Sequence, residues 1–271
     1  MENKELQVIE KLRKWESIAC ELNPEGFFVA FSGGKDSQVV MDLVQRAGVK
    51  YRAYYSVTSI DPPENVYFIR KNYPEVVFIH PRRNFFKLIE QKGLPTIMRR
   101  YCCERLKEGL GAGYMVLTGV RAAESRKRAA YSEIEIFSRR VEHYGKPRVR
   151  TFEQLVESEH QCIKGRDKLM VRPILDWSDE EVWQYVYNHQ LPINPCYKVH
   201  GRVGCMFCPF ASKEDIEKYE KQYPRFKPLI IRALSRYWEK SKTHYAETPE
   251  EYYEYWKKKG TKRDYKKKEV I

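Results

Sequence analysis

The chain has 271 residues, 42% of them hydrophobic, and 50 Lys and Arg against 37 Asp and Glu give a formal charge of +13. That much apolar material can bury a sizeable core, which excludes a disordered polycation. No apolar run approaches the ~18 residues of a membrane span, and the charged start Met1-Glu2-Asn3-Lys4-Glu5 lacks the apolar region of a secretory signal. A cytoplasmic location without a membrane partner is therefore expected.

Residues 6–22 place Val8, Ile9, Leu12, Trp15 and Ala19 at helical spacing, with Cys20 as a small core residue. The apolar run Phe27–Phe31 predicts a buried strand, and residues 38–45 predict a helix with Val39, Val40, Leu43 and Val44 inward. Residues 51–57 and 76–79 read as strands joined by a crossover helix over 65–72. Met115–Leu117 is a further strand, running into Thr118 and Gly119. Strands alternating with helices imply an α/β fold with a parallel sheet and a ligand at the strand C-termini.

Residues 126–168 break this rhythm and suit a lid or a substrate-specific insertion, with His143, His160 and Cys162 inside it. Ser178-Asp179-Glu180-Glu181 opens the next helix as a capping box, packing through Val182, Trp183, Tyr185 and Val186. From Lys213 the chain is helical. Its stripe of Tyr219, Tyr223, Phe226, Leu229, Ile230, Leu234, Tyr237 and Trp238 suits docking on a core, although aromatics among Lys and Arg also suit base stacking. Residues 257–268 form a basic arm. The expected division is an N-terminal helix over 1–24, a nucleotide-binding and cysteine domain over 25–212, and a helical C-terminal extension over 213–271.

Between the first strand and its helix lies Ser32-Gly33-Gly34-Lys35-Asp36-Ser37. Two glycines let backbone approach a ligand, the helix start offers N–H groups, and Lys35 adds a charge, so the turn is a phosphate cradle. It is not the Walker loop, whose two glycines are separated by four intervening residues. Its spelling resembles the loop of the ATP pyrophosphatases, which split ATP between the α and β phosphates. Arg121 and Arg126, with Glu124 and Ser125, follow the Thr118-Gly119 strand end and are candidates for forked phosphate contacts. Asp61 and Glu64 follow the second strand; they suit Mg²⁺ or adenosine, or Asp61 caps the helix opened by Pro62-Pro63.

Seven cysteines are present. Without a secretory context they suggest metal or redox chemistry rather than a disulfide framework. Cys102-Cys103 and Cys205-Met206-Phe207-Cys208-Pro209 stand out as pairs whose four thiolates suit an iron–sulfur cluster, a structural zinc or a redox dithiol. Cys196 is close enough in sequence to substitute as a ligand. Arg99, Arg100, Arg105 and Lys107 flank the first pair and would steady a thiolate-bound group; His200 suits an outer partner, and His80 only closes a strand.

In this order, the loop, the stretch from Arg100 to Lys107, the stretch from Leu117 to Arg126, and the stretches from Val171 to Trp177 and Gly204 to Pro209 resemble the phosphoadenylyl-sulfate (PAPS) reductase family of the adenine-nucleotide α-hydrolase superfamily. The resemblance covers about residues 25–212. It implies a Rossmann-like parallel-sheet domain binding ATP or an adenylyl sulfonucleotide through Ser32 to Ser37, Thr118, Gly119, Arg121, Glu124, Ser125 and Arg126. Lys35, Asp36 and Arg121 would be catalytic, and a [4Fe–4S] cluster would sit on Cys102, Cys103, Cys205 and Cys208. Reductases of this family use a cysteine in a late Glu-Cys-Gly-Leu-His type motif, and no cysteine follows Cys208 here. The intact loop instead suggests cleavage of ATP, as in the iron–sulfur sulfur-transfer relatives that include the DNA phosphorothioation component.

The expectation is an enzyme that adenylates an acceptor, DNA or RNA among the candidates, for sulfur transfer, with Mg²⁺ and a sulfur donor protein. The alternatives are a sulfonucleotide reductase served by a thioredoxin-like reductant, with an external thiol, Cys162 or Cys196 as nucleophile, and a non-catalytic nucleotide- or nucleic-acid-binding regulator. The excess of positive charge in residues 82–172 and 213–271 suits a polyanion, or only solubility.

Overall fold

A computed structural model describes residues 2–137, 168–241 and 246–258. In chain order it contains α1 (Glu2–Leu22), β1 (Phe27–Phe31), α2 (Lys35–Ala47), β2 (Tyr51–Ser56), α3 (Pro63–Asn72), β3 (Val77–Ile79), α4 (Phe85–Lys92) and α5 (Tyr101–Cys103). There follow β4 (Met115–Leu117), α6 (Arg126–Ala129), β5 (Ile134–Phe137), β6 (Lys168–Val171), α7 (Asp179–Asn188), α8 (Cys196–His200), α9 (Lys213–Gln222), α10 (Phe226–Trp238) and α11 (Pro249–Lys257). The chain divides into two compact units: Met1–Ser56, Glu64–Ile79 and Leu110–Val203 make the first, and Val57–Pro63, His80–Gly109 and Gly204–Ile271 the second.

The first unit is built on a six-stranded sheet in the order β3-β2-β1-β4-β6-β5. Every pairing is parallel except that of β5 with β6. The fold is therefore the expected α/β one. β1 and β4 are buried because helices cover a parallel sheet: Phe27, Val29, Met115 and Leu117 are fully enclosed. The inward residues of α2 are Val39, Val40, Leu43 and Val44, as its periodicity predicts. The spacing of Val8, Ile9, Leu12, Trp15 and Ala19 likewise gives the buried face of α1, whereas Cys20 is only half-buried.

Strand β5 departs from the sequence expectation. Ile134–Phe137 lies inside the segment read as a lid or insertion, yet it pairs with β6 from Ile134 opposite Val171 to Phe137 opposite Lys168. Four residues are too short for a periodic signal, and only pairing identifies them. The rest of that segment, with His143, His160 and Cys162, lies outside the described residues.

The second unit has its own core, with Phe85, Leu88, Ile89 and Leu94 packed with Phe207, Ile216, Ile230, Leu234 and Tyr253. Each fully buried aromatic or Leu here contributes about 1.5–3 kcal/mol relative to exposure. The aromatic C-terminal stripe is part of this core: Tyr219, Ile230 and Leu234 are buried, and Tyr223, Phe226 and Tyr237 pack against it. Most of the stripe thus docks on this core, one of the two uses expected of it. Trp256 donates its indole N–H to the Pro95 carbonyl at 2.6 Å. Lys257, read from sequence as the start of a basic arm, is instead buried in the last turn of α11, paired with Glu254 and Glu220 at 2.8 and 3.1 Å. The cysteine pairs thus belong by packing with the C-terminal helices, a different division from the one drawn along the sequence.

Candidate active site

The strand order reverses beside β1: the chain moves outward through β2 and β3, then returns to the other side of β1 as β4. In an open parallel sheet this switch point leaves a crevice at the strand C-termini, where ligands bind. β1 ends at Phe31 and β4 at Leu117, so the crevice is edged by the Ser32 to Ser37 loop and by the run from Thr118 to Arg121.

The loop is tied down through its carbonyls. Asn65 Nδ2 donates to the Ser32 carbonyl at 3.2 Å, and Gln38 Nε2 and Asn194 Nδ2 donate to that of Gly33 at 3.2 and 2.9 Å. The Ser37 hydroxyl donates to the Gly34 carbonyl at 2.8 Å. Asn194 also donates to Asn65 Oδ1 at 2.7 Å, so two buried amides brace the turn. Gly33 has a φ of +77°, and a Cβ there would stand 2.4 Å from Asn65 Oδ1. Only glycine meets both demands. The first turn of α2 has no intrahelical acceptors for its N–H groups; of the loop amides, that of Gly34 donates to the Ser32 hydroxyl at 3.4 Å and that of Lys35 to the Tyr197 hydroxyl at 2.8 Å.

Charge is concentrated at the same place. The Lys35 ammonium lies 2.8 Å from Asp179 Oδ1 and 3.3 Å from Asp36. Arg121 reaches the same two carboxylates, Nε to Asp36 at 2.5 Å and Nη2 to Asp179 at 2.6 Å. The Lys35 and Arg121 side chains are nearly buried, at 9% and 3% exposure, whereas that of Asp179 is 54% exposed. Burial works against the Arg121 charge, but Asp36 and Asp179 outweigh it and hold its pKa above the ordinary value. The hydrogen bond from Lys35, then its charge and Arg121, holds Asp179 below the usual carboxylate range. Two cations and two carboxylates form one neutral set beside the helix start, which an incoming anion can re-pair.

The other predicted residues on this strand end divide by role. Thr118 donates its amide to the Val171 carbonyl at 2.9 Å, holding β4 against the end of β6. A Cβ on Gly119 would stand 2.7–2.9 Å from Asp36 backbone and Cβ atoms. Gly119→Ala must push β4 off α2, and we expect a loss of about 1–3 kcal/mol, read as a lower urea midpoint at unchanged slope. Glu124 accepts the Arg121 amide at 2.9 Å and pairs with Arg128, so it shapes the turn. Ser125 caps α6, and Arg126 is exposed.

Sequence reading missed Asp179, Asn194 and Tyr197. Asp179 was visible only as a member of a capping box, which Ser178 and Glu181 do form. Trp183, expected to pack inward, has its ring 5.7 Å from the Lys35 ammonium.

In the second unit Cys102, Cys103, Cys205 and Cys208 line one cavity with Thr58, Ile60, Leu106, Lys107, Phe207 and Pro209. Cys205 donates to the Thr58 hydroxyl at 3.6 Å, and Thr58 in turn donates its amide and hydroxyl to Asp61 at 2.7 and 2.8 Å. Asp61 therefore closes a turn rather than capping α3. Hydrogen bonding from Cys102 lowers the Cys103 pKa, with help from Lys107 and Arg100, while the same contact raises Cys102. The charge of Cys205 in turn raises Lys107. The flanking basic residues otherwise turn outward: Arg100 lies over Phe210 at 5.2 Å, and Arg105 pairs with Glu104. Four thiols with one ammonium make a soft donor set suited to iron–sulfur or zinc. Among the described residues, no three His, Cys, Asp or Glu side chains converge on a point as on a single metal ion.

Cys196 belongs to the first unit and is fully buried, its thiol pushed up to about 12 by burial. A thiol so held is a poor nucleophile and a poor ligand. Among the described residues, no helix is long and apolar enough to cross a membrane.

Residues 26–211 match the family model of the phosphoadenosine phosphosulfate reductase domain. An uncharacterized protein of Methanocaldococcus jannaschii is 25% identical over 248 residues, covering 88% of this chain and 53% of that one. The adenosine 5'-phosphosulfate reductase of Allochromatium vinosum is 28% identical over 116 residues, 41% of this chain and 35% of that protein. The chain spans about half the length of the first of these relatives. Among solved structures, the U34-tRNA thiolase of Methanococcus maripaludis with its [4Fe-4S] cluster aligns with a TM-score of 0.44 at 15% identity, over 90% of this chain and 82% of that one.

Proposed function

Because this chain belongs to the phosphoadenosine phosphosulfate reductase domain family, we propose that it is an enzyme that cleaves ATP to AMP and pyrophosphate, adenylating an acceptor for sulfur transfer. One observation carries this reading: Lys35 and Arg121 are held by Asp36 and Asp179 beside the N–H groups of an intact Ser-Gly-Gly-Lys-Asp-Ser loop. ATP, accompanied by Mg²⁺, lays its β and γ phosphates on the amides from Gly33 to Ser37. Lys35 and Arg121 exchange carboxylate for phosphate oxygens. Thr118, Gly119 and the turn set by Glu124 and Ser125 border the nucleotide, and Arg126 offers a further guanidinium.

An acceptor oxygen then attacks the α-phosphorus as the bond to the β-phosphate bridging oxygen breaks. Lys35 and Arg121 stabilise the charge that grows on the pentacoordinate phosphorus and on the leaving pyrophosphate. A hydrosulfide-level donor next displaces AMP, a carbon–sulfur bond forming as the carbon–oxygen bond breaks, so this exchange needs no oxidant or reductant. Cys102, Cys103, Cys205 and Cys208 would hold a [4Fe–4S] cluster, which would supply redox-active iron–sulfur chemistry. The four thiols line one cavity, and a set of thiolates suits iron–sulfur or zinc. The charge of +13 supports a polyanionic acceptor such as DNA or RNA.

The second reading is a sulfonucleotide reductase, favoured by the Allochromatium relative and by a cation set that would accept sulfate as readily as phosphate. The two separate in one assay on anaerobically purified protein. Pyrophosphate released from ATP, with nucleic acid supplied as acceptor, is the expected result. Sulfite released from adenylyl or phosphoadenylyl sulfate with a dithiol reductant, and no pyrophosphate from ATP, would establish the reductase instead. Tight nucleotide binding with neither product would leave a regulator.

A further inference from the structure

The Lys35 amide, the first N–H of α2, donates at 2.8 Å to the Tyr197 hydroxyl. This is the N–H that a phosphate oxygen on the loop would need, because helix-start amides are the strongest anion donors of such a turn. The same hydroxyl is close enough to Gly34 that a Cβ there would stand 3.3 Å from it. The Tyr197 ring is braced edge-on by Trp183 at 5.1 Å, and Trp183 also lies beside the Lys35 ammonium. The hydroxyl and a phosphate oxygen cannot both occupy that position.

We propose that Tyr197 is a built-in competitor for the phosphate site, a side chain that caps the loop and must swing away before a nucleotide's phosphate can dock. The idea rests on the reading of the loop as a phosphate cradle. The backbone around Tyr197 is pinned. Asn194, fully buried, donates to Gly33 and Asn65, accepts the Cys196 amide at 2.9 Å, and is followed by the buried Cys196. Exchange therefore runs through the Tyr197 side chain rather than through α8. Burial pushes the Tyr197 pKa up to about 12, so the group that leaves is a neutral phenol and carries no charge out of the site. The consequence is selectivity: a ligand must offer an oxygen anion strong enough to replace the phenol at the Lys35 amide, which pyrophosphate and triphosphate do and an uncharged nucleoside does not.

The test is calorimetric binding of inorganic pyrophosphate and of ATP to Tyr197→Phe and to the wild type. Phe keeps the ring against Trp183 and removes only the hydroxyl. One competing hydrogen bond lost should tighten both ligands roughly two- to tenfold. Wild-type tryptophan fluorescence should change on saturation with pyrophosphate, and that change should vanish in Trp183→Phe. Equal or weaker binding by Tyr197→Phe would overturn the proposal, weaker binding making Tyr197 a phosphate ligand. Silent Trp183 fluorescence at saturation would overturn the swing. Absence of pyrophosphate binding by both proteins would refute the cradle itself, and the competition with it.

Discussion

Lys35→Ala lowers pyrophosphate release from ATP by about 10²–10³-fold, the size of effect seen when one preorganised electrostatic donor is removed from a transition state. Folding should hardly change. Asp36 and Asp179 keep Arg121, which reaches both at 2.5 and 2.6 Å, so no carboxylate is stranded. Arg121→Ala is the less informative substitution. It removes a guanidinium that is 3% exposed from two carboxylates and costs up to about 3 kcal/mol of stability, confusing lost catalysis with lost fold. The measurement is single-turnover pyrophosphate release alongside a thermal melt. Wild-type rates in Lys35→Ala would sink the assignment of the loop.

Cys205→Ser removes the brown visible absorbance of the anaerobically purified protein and lowers its iron content severalfold. A serine hydroxyl is a hard, weakly acidic ligand where the cavity otherwise offers sulfur. Thr58→Val is the control, because it removes the hydroxyl beside Cys205 Sγ while leaving all four thiols in place. It should keep the chromophore. Full absorbance in Cys205→Ser would exclude this cysteine as a ligand, and a colourless wild type carrying one zinc per chain would replace the cluster by zinc. The Lys107 ammonium, drawn to Cys205, is suited to offset the negative charge of four thiolates.

The fold was legible wherever local chemistry repeats. Phe27–Phe31, the inward face of α2 and Met115–Leu117 follow from apolar runs and helical spacing, and together they imply a parallel sheet with its ligand at the strand ends. The turn between β1 and α2 was legible because two glycines, a lysine and two hydroxyls fall in six consecutive residues between an apolar run and a helical period. The edge strand β5 was not, because four residues carry no period and its identity comes from pairing with β6. The chain's sorting into two units was hidden too, since the second is assembled from three separated stretches.

By itself, the sequence determined the α/β class, the glycine-rich turn between β1 and α2, and the four cysteines that one cavity gathers. Tertiary structure decided which groups oppose the loop. Asp179 lies 144 residues from Lys35 and Tyr197 lies 162 away, and neither position bears a local signal of its contact with the loop. An ion pair or a capping hydroxyl depends on distance in space, and a motif depends on neighbours along the chain. Only folding brought Asp179 to the two cations and the Tyr197 phenol to the first amide of α2.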